Sequence, residues 1–464
     1  MSPSARARLT AAPFLGLCLA AAAAVFRQDF GGALPLGLFN EGRELYAWLA
    51  RAALAAALGL AALFAGELVR GRPSRAGGAA RGILVSFLLL ELLVTAVDVL
   101  LVSRPGVAEA ALGGPYREAT SSAGTRVFLK RAHSGSALGL RSAASHVKQP
   151  RGRRLLFLGD SYTEGSGRDA ACNYPEVALA ALNERLAAAG AVPFEAMNAG
   201  VAGYGPEESL ALLRFLRDEG YRFDAVVLSL FLENDFSDDL PGTERRVVAG
   251  INFRFPREAW LRRLHPLNTR AARYAMFLWQ AGGRGSADDY VLRGDGNCRP
   301  PPPLPAQLPA PLRELVLRRL EDNYGPRAAL AEDGVAEALA GFHREAEALG
   351  VPLVVVVFPD RILADRELRQ RLGLPADLEA YYDLARLRRF VAQRAGAPVV
   401  DATPALTDGS VNYRPSDTHL SDPGNVVAGR FVGEQLAEIL APGLSSGSGP
   451  AAPPLQPEAP RAPR

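Results

Sequence analysis

The chain has few of the side chains that most often bind metals. Its 464 residues include three cysteines and five histidines. Cys18, Cys172 and Cys298 form no C-x-x-C pair and the histidines are scattered, so the spacing of a metal site is missing. We therefore expect no metal and no other cofactor. Cys172 and Cys298 form a disulfide if their part of the chain lies outside the cytoplasm, and two free thiols are the alternative.

The chain also lacks a large excess of either charge. Its formal net charge is +3, which is small for this length and gives no electrostatic basis for binding nucleic acid. We therefore expect no nucleic-acid partner. A chain of 464 residues is long enough for one large domain and additional segments.

Long apolar stretches are present instead, near the N-terminus, at 9–26, 45–69 and 82–102. Roughly 20 apolar residues cross a bilayer, and buried helices of soluble proteins are seldom this long and this apolar. The stretches predict a module of about three transmembrane helices over residues 1–104. Glu91 lies near the middle of the third stretch, where charges are rare, and the sequence assigns it no role.

Arginines predict how these helices are oriented. They precede the first stretch and fill the loop between the second and the third: Arg6, Arg8, Arg70, Arg72, Arg75 and Arg81. The positive-inside rule places both segments in the cytoplasm. We expect a multi-pass protein of the inner (cytoplasmic) membrane with an extracytoplasmic, periplasmic C-terminal domain. The first stretch is alternatively a cleaved signal peptide, which leaves that domain outside as well.

Beyond residue 150, strands and helices alternate. Short apolar runs predict strands at 155–158, 194–197, 225–232, 352–358 and 398–400. Helices are predicted from periodicity and from starting prolines at 174–189, 206–217, 327–349, 378–394 and 423–440. Alternation of this kind predicts an α/β domain in which helices cover both faces of a parallel sheet.

The flanking segments have different compositions. Residues 105–150 are predicted to form a polar connector, whose second half packs on the domain as an irregular arm. The α/β domain spans 151–441 and carries a long insertion at 237–324. Residues 442–464 are rich in Pro, Ala, Ser and Gly and are expected to be disordered, because they contain too few large apolar residues to form a core.

The insertion contains aromatic residues interleaved with arginines. Loops of this length are usually functional or disordered. We interpret it as a cap that shapes a substrate cleft. An ordinary helical insertion with its own core is the first alternative, and an amphipathic helix at 260–279 lying on the membrane surface is the second.

Two short segments carry the residues of acyl transfer. Gly159-Asp160-Ser161 follows the first predicted strand, and Asp417-Thr418-His419 precedes the last helix. A serine nucleophile needs a histidine to take its proton and a carboxylate to orient the imidazole. Parallel sheets bind ligands at the carboxyl ends of their strands, where Ser161 lies. The two segments therefore predict a serine-dependent enzyme of the esterase type.

Two further segments offer donors for an oxyanion. Gly203 lies in the glycine-rich segment 198–205 after the second strand, and Asn234 follows the third strand. Backbone N–H groups of such a loop and a side-chain amide are suitable donors. Taken alone, the first segment is better interpreted as a flexible loop, and Asn234 is alternatively a turn cap.

In this order, the four segments resemble the SGNH/GDSL hydrolase family over roughly 153–440. The resemblance implies a flavodoxin-like, three-layer α/β/α fold with a mainly parallel sheet of five strands. It also implies that Ser161 is the nucleophile and that His419 is the base, oriented by Asp417. The oxyanion hole would consist of the N–H groups of Ser161 and Gly203 with the side chain of Asn234.

One departure from the family pattern concerns the carboxylate. Many members place an aspartate three residues before the histidine, where this chain has Ser416. Asp417, two residues before His419, is our assignment, because this spacing also occurs in the family. Asp401, after the last predicted strand, is the alternative.

The expected function is a membrane-anchored, extracytoplasmic serine ester hydrolase. It would remove acyl groups, acetyl above all, from carbohydrate or lipid esters through an acyl-enzyme on Ser161. The alternative is an O-acyltransferase that modifies envelope or extracellular polysaccharide, with a membrane partner protein supplying the acyl group. A non-catalytic binding protein is the third hypothesis, which the complete set of expected catalytic residues disfavours.

Overall fold

The structure, a computed structural model, describes residues 2–30, 43–97, 100, 116–130, 138–140, 147–165, 170–232, 234–238, 242–248, 251–281, 298, 313, 328–374, 384–407, 410–414 and 418–444. In chain order these residues form long N-terminal helices, a hairpin and an α/β domain with an insertion.

Three long helices come first: α1 (Pro3–Val25), α2 (Arg43–Arg70) and α3 (Arg75–Val97). A π-helical turn, Phe26–Phe30, continues α1. Each helix is long and apolar enough to cross a membrane. The third begins at Arg75, earlier than the predicted start at residue 82. The reason is local: Glu67 accepts a hydrogen bond from the backbone N–H of Ser74 at 2.5 Å and pairs with Arg81 at 2.6 Å, which fixes the turn into α3.

A hairpin follows in the segment that the sequence predicted to be a polar connector. Its strands, β1 (Tyr116–Thr120) and β2 (Arg126–Lys130), pair in antiparallel fashion. Val127, Phe128 and Leu129 of β2 are buried in the core of the α/β domain. The hairpin is therefore a structural part of the domain. From here on, the arm means this hairpin, residues 116–130, and not the irregular second half of the connector that the sequence predicted to pack on the domain.

The remaining strands are β3 (Arg153–Leu158), β4 (Phe194–Asn198), β5 (Ala225–Phe231), β6 (Thr243–Val248), β7 (Ile251–Pro256), β8 (Leu353–Phe358) and β9 (Val399–Asp401). The remaining α-helices are α4 (Ser161–Glu164), α5 (Tyr174–Ala188), α6 (Pro206–Asp218), α7 (Asp235–Asp238), α8 (Ala259–Leu264), α9 (Arg270–Ala281), α10 (Ala328–Leu349), α11 (Arg361–Ala364), α12 (Arg366–Arg371), α13 (Leu384–Ala395), α14 (Thr403–Leu406) and α15 (Asp422–Leu444).

A five-stranded parallel sheet forms the centre of the domain, in the order β4-β3-β5-β8-β9. Every residue of β5 and β8 is buried, as expected for strands covered on both faces. One face packs on α6, α10 and α13, with Leu213, Phe342 and Val391 in the core. The other face packs on α5 and α15, with Leu182 and Val432 in the core. This confirms the predicted three-layer α/β/α fold preceded by a helical N-terminal module.

The described part of the insertion packs on the N-terminal helices. Leu261 of α8 and Met276 of α9 form an apolar cluster with Ala24, Tyr46 and Ala50. The sequence suggested a cap, a separate small core or a helix on the membrane surface. In the described residues the helices of the insertion lie against α1 and α2, a contact that no local pattern in the sequence indicates, and the three interpretations stay predictions.

A network of buried polar side chains lies beside this cluster. His265 Nε2 is 2.8 Å from Asp29 Oδ2, and the backbone N–H of Leu267 donates to His265 Nδ1 at 3.1 Å. Because Nδ1 accepts, Nε2 carries the ring proton and donates to Asp29. The Tyr46 hydroxyl donates to the other oxygen of Asp29 at 3.2 Å. Buried polar groups need such partners, so the network specifies which face of the insertion meets the N-terminal helices.

The structure also gives Glu91 a role. Its two carboxylate oxygens accept the backbone N–H groups of Arg270 and Ala271, each at 2.9 Å. These belong to the first turn of α9, where N–H groups have no partner within the helix, and a negative charge there is favourable. Glu91 therefore caps α9 from α3, and it lies in the last two turns of that helix.

Cys172 and Cys298 form a disulfide, with Cα atoms 5.5 Å apart. The sequence left this pairing open. Cys172 ends a short 3-10 turn, Ala170–Cys172, that follows α4 in the chain. The bond therefore attaches a distant part of the insertion to the segment that follows Ser161.

Candidate functional site

The predicted site residues lie at one edge of the sheet. Ser161 begins α4 directly after β3, Gly203 lies in the loop after β4, and Asn234 lies in the turn after β5. These three strands are neighbours, with β3 between the other two. Since they are parallel, their carboxyl ends share one edge, and this is where doubly wound sheets bind ligands.

His419 reaches the same edge from the loop before α15. Its Nε2 lies 2.8 Å from Ser161 Oγ. This is the distance of a good hydrogen bond and the arrangement expected of a nucleophile and its base. The structure therefore brings together the two residues that the sequence placed far apart.

The start of α4 holds Ser161 in place. Asp160 is buried, and its Oδ1 accepts the backbone N–H of Tyr162 at 2.9 Å, which caps the helix. The Asp160 carboxylate thus stabilises the local structure around Ser161. Ser161 occupies the first position of the helix, where its side chain is not enclosed by a preceding turn.

Tyr162 connects the nucleophile segment to the histidine loop. Its hydroxyl donates to the carbonyl of Thr418 at 2.5 Å, next to His419 in the chain. Its ring stacks on Phe231 at 3.8 Å between centroids. The sequence analysis missed this role, and an aromatic residue directly after the nucleophile was the available signal.

The histidine loop is fixed on both sides of His419. The backbone N–H of Arg414 donates to the His419 carbonyl at 2.9 Å, and Tyr413 and Leu420 form an isolated antiparallel bridge. On the other side, Asn425 Oδ1 accepts the backbone N–H of Tyr174 at 3.2 Å, which connects α15 to α5. The imidazole therefore has a backbone held from two directions.

Tyr174 lies behind the nucleophile segment and is fully buried. Its hydroxyl shares hydrogen bonds with Thr163 and Ser229. Burial raises the pKa of this phenol above its ordinary value. Tyr174 therefore keeps its proton and has a structural role behind the nucleophile segment.

The glycine loop, residues 198–205, packs closely on α4. A Cβ on Gly200 would lie 2.3 Å from the backbone nitrogen of Glu164, so only glycine fits there. Asn198 donates from Nδ2 to the Thr163 carbonyl at 2.7 Å and accepts the Gly200 N–H at 3.0 Å. Gly203 has a φ of 78°, a conformation that favours glycine.

Asn234 lies in the turn between β5 and α7 and is partly exposed. The carboxylate of its neighbour Asp235 accepts the backbone N–H of Phe231 at 2.7 Å, which stabilises the turn at the end of β5. The Asn234 Nδ2 itself donates to Asp235 Oδ1 at 3.5 Å, and its part in an oxyanion hole stays a prediction.

The structure describes one of the two candidate carboxylates, Asp401, and does not describe the other, Asp417. Asp417 lies outside the described residues, so its assignment remains a prediction. Asp401, at the end of β9, accepts the backbone N–H and the hydroxyl of Thr403 at 2.9 Å and 2.5 Å. Its other oxygen pairs with Arg388. Asp401 therefore connects β9 to α14 and α13, which is a structural role.

A buried ion pair next to the site was absent from the sequence analysis. Lys130 of the arm and Glu164 of α4 are 2.5 Å apart, and both side chains are almost fully buried. The second oxygen of Glu164 accepts the backbone N–H of Ala202 at 3.1 Å. This pair joins the arm, the nucleophile helix and the glycine loop. Lys130 is far from both motifs in the sequence, so local reasoning had no signal for it.

The cavity against Ser161 is small. Its volume is about 10 Å³, and Arg414, His419 and Leu420 contribute to its walls. This is close to the space that one water molecule needs. A larger cavity of about 270 Å³ lies beyond the glycine loop, between the arm, α6 and β6, and Ser161 is not part of its lining.

The domain combines a parallel three-layer fold with a Ser–His pair at the carboxyl edge of its sheet, which is the arrangement that the resemblance to SGNH/GDSL hydrolases implies. Residues 318–450 match a family model described as "SGNH hydrolase-like domain, acetyltransferase AlgX". The matched range includes the segment that contains Asp417 and His419. The resemblance to SGNH/GDSL hydrolases is thereby confirmed. No curated protein matches the chain.

The chain is also similar to several solved structures. TesA is 14% identical with a TM-score of 0.32, and the match covers 62% of this chain and 100% of TesA. A lipase/acylhydrolase from Enterococcus faecalis is 15% identical with a TM-score of 0.27, covering 62% of this chain and 96% of that chain. The esterase AlinE4 is 14% identical with a TM-score of 0.28, covering 65% and 100%. With scores this low, the fold assignment rests on the sheet order and the family model.

The contacts of Asp401 lead to a prediction about the carboxylates. Asp417→Asn should lower kcat for a short-chain ester by at least about a hundredfold, because the imidazole loses the group that orients it. Asp401→Asn should lower the melting temperature and leave kcat within about threefold, because it weakens contacts to Thr403 and Arg388. Steady-state kinetics and thermal unfolding of the two purified variants measure both effects. A larger loss of kcat in Asp401→Asn would move the orienting role to Asp401.

Proposed function

We propose that this protein is a serine-dependent enzyme that handles short acyl esters through an acyl-enzyme on Ser161. The observation that carries the proposal is the 2.8 Å contact between Ser161 Oγ and His419 Nε2. Serine is a weak nucleophile unless an adjacent base takes its proton. The pair lies at the carboxyl edge of the sheet, where the four segments that resemble SGNH/GDSL hydrolases follow their strands.

In the proposed first half-reaction, His419 Nε2 takes the Ser161 proton as Oγ attacks the ester carbonyl. The carbonyl oxygen becomes an oxyanion, which the N–H groups of Ser161 and Gly203 and the amide of Asn234 stabilise. The tetrahedral intermediate collapses with departure of the alcohol, to which His419 gives the proton. Asp417 orients the imidazole and stabilises its charged form. The acyl group is then on Ser161.

In the second half-reaction a hydroxyl attacks the acyl-enzyme and His419 repeats its role. Water gives a free acid, and a sugar hydroxyl gives a new ester. The sequence alone favoured water, because the chain shows no acyl-donor machinery. The family model's description as an acetyltransferase favours transfer to an acceptor other than water, and a sugar hydroxyl is the acceptor that the transferase alternative from the sequence names. We therefore propose acyl transfer, with acetyl as the acyl group and a carbohydrate as the acceptor, and hydrolysis as the second candidate.

The word acetyltransferase in the description of the family model supports a short acyl group. A transferase of this kind takes its acyl group from a donor. We propose that a membrane partner protein supplies it, because three apolar N-terminal helices would place this chain in the same membrane. An acylated carbohydrate or lipid is the substrate in the case of hydrolysis.

We further propose that the catalytic domain lies outside the cytoplasm, in the periplasm, with α1 to α3 as a multi-pass anchor in the inner membrane. The arginines around these helices support this orientation. The disulfide between Cys172 and Cys298 supports it as well, because disulfides persist in oxidising compartments.

The choice between transfer and hydrolysis is testable with the purified full-length protein. It is incubated with an aryl acetate, with and without a soluble glycan, and mass spectrometry follows free acetate and acetylated glycan. We expect acetylated glycan to form faster than free acetate. Ser161→Ala and His419→Ala should each lower both products about a thousandfold or more, since the residues act as a unit. Ser122→Ala, at an exposed position of the arm, is the control and should retain activity. Free acetate as the main product at every glycan concentration would favour hydrolysis.

The orientation predicts the behaviour of reporter fusions. A reporter that is active only outside the cytoplasm should be active when fused after residue 110 or at the C-terminus. The same reporter should be silent when fused near Arg75, because that loop carries the arginines that stay inside. Enzyme assays on cells that express each fusion at equal levels measure this. A stable but silent C-terminal fusion would contradict the proposed topology.

A further inference from the structure

The peptide group between Ala202 and Gly203 lies at the centre of the glycine loop. Its N–H belongs to Gly203 and is the donor proposed for the oxyanion hole. Its carbonyl belongs to Ala202. A trans peptide is planar, so its C=O and N–H point in opposite directions. Any group that fixes the Ala202 carbonyl therefore also fixes the direction of the Gly203 N–H.

Tyr116 of the arm supplies such a group. Its hydroxyl donates to the Ala202 carbonyl at 2.8 Å. The Tyr116 ring packs edge to face on Phe128, with centroids 5.5 Å apart and an interplanar angle of 86°. Phe128 in turn packs on Tyr204 at 4.5 Å. This stack of three rings determines where the hydroxyl lies, so the contact is built into the packing of the arm.

The peptide groups on either side are held as well. The Ala202 N–H donates to Glu164, which Lys130 neutralises. On the other side, the Gly203 carbonyl accepts a hydrogen bond from Arg245 of β6. These contacts fix the peptide groups before and after the one between Ala202 and Gly203. The carbonyl of that central peptide, Ala202 C=O, accepts its hydrogen bond from the Tyr116 hydroxyl.

We propose that Tyr116 is a positioning residue for the oxyanion hole: its hydroxyl orients the Gly203 N–H and strengthens it as a donor. The strengthening follows because a hydrogen bond to the carbonyl polarises the whole peptide group. The inference rests on the proposed function, in which the Gly203 N–H stabilises the oxyanion. It assigns to the arm, which lies outside the sheet and its covering helices, an influence on the transition state that acts through the peptide between Ala202 and Gly203.

The size of the effect follows from what is lost. Deleting an oxyanion donor costs a factor of about 100 to 1,000 in kcat. Tyr116→Phe keeps the aromatic ring and leaves the Gly203 N–H in place. It removes only the hydroxyl that orients this N–H. We therefore expect kcat to fall about tenfold, with KM within about twofold, because the oxyanion exists in the transition state and not in the bound ester.

The matched control is Tyr204→Phe. The Tyr204 hydroxyl also joins the glycine loop to the arm, since it donates to the carbonyl of Phe128. Burial raises the pKa of Tyr204 well above its ordinary value, as does the nearby Glu208, so this hydroxyl is protonated and donates. Its bond does not involve the peptide between Ala202 and Gly203. Tyr204→Phe should lower the melting temperature while kcat stays within about twofold.

The experiment uses the full-length protein in detergent and an aryl acetate as substrate. It measures kcat, KM and the melting temperature of both variants, together with the inhibition constant of an acetyl-sized trifluoromethyl ketone. Ser161 Oγ attacks the carbonyl of such a ketone and forms a tetrahedral adduct whose former carbonyl oxygen is an oxyanion. Tyr116→Phe should weaken inhibition by the factor by which kcat falls, about tenfold, and Tyr204→Phe should not.

A folded Tyr116→Phe protein with unchanged kcat and unchanged inhibition overturns the inference. Equal losses in Tyr116→Phe and Tyr204→Phe overturn it too, since both would then report only attachment of the arm. Failure of the proposed function looks different: Ser161→Ala would retain activity and the ketone would not inhibit the wild-type protein.

Discussion

The hydrogen bond between Ser161 and His419 joins residues that are 258 positions apart in the chain. It forms only if β3 lies inside the sheet, so that its carboxyl end carries Ser161 to the edge, and if α15 packs on α5, so that the preceding loop reaches that edge. The contact from Tyr162 to Thr418 connects the same two segments a second time. The order of the strands and the packing of the last helix are therefore conditions for the chemistry, and each is secured by a buried core.

Segments outside the sheet and its covering helices hold the glycine loop. The arm contacts it through Tyr116 and through Lys130 by way of Glu164, and β6 of the insertion contacts it through Arg245. The same insertion docks on α1 to α3, where Glu91 caps α9. Thus the candidate site and the N-terminal helices are connected through one insertion.

Much of the domain could be predicted from the sequence, because buried parallel strands and their covering helices have clear local patterns. Ser161 and His419 could be predicted because each lies in a short motif next to such an element. The role of Tyr116 could not, because it depends on a contact between the arm and a loop 86 positions away. Glu91 was unexplained for the same reason, since its partners belong to α9. Asp417 was assigned from its spacing to His419, and that assignment is still a prediction.

The central claim is that His419 activates Ser161 as a nucleophile. The most direct measurement is labelling of the folded full-length protein with a fluorophosphonate probe, followed by mass spectrometry of the modified peptide. The account predicts a single modified residue, Ser161, and labelling slowed by about a thousandfold in His419→Ala, because serine without its base is a poor nucleophile. Absence of labelling in the folded wild-type protein, or equal labelling in wild type and His419→Ala, would contradict it.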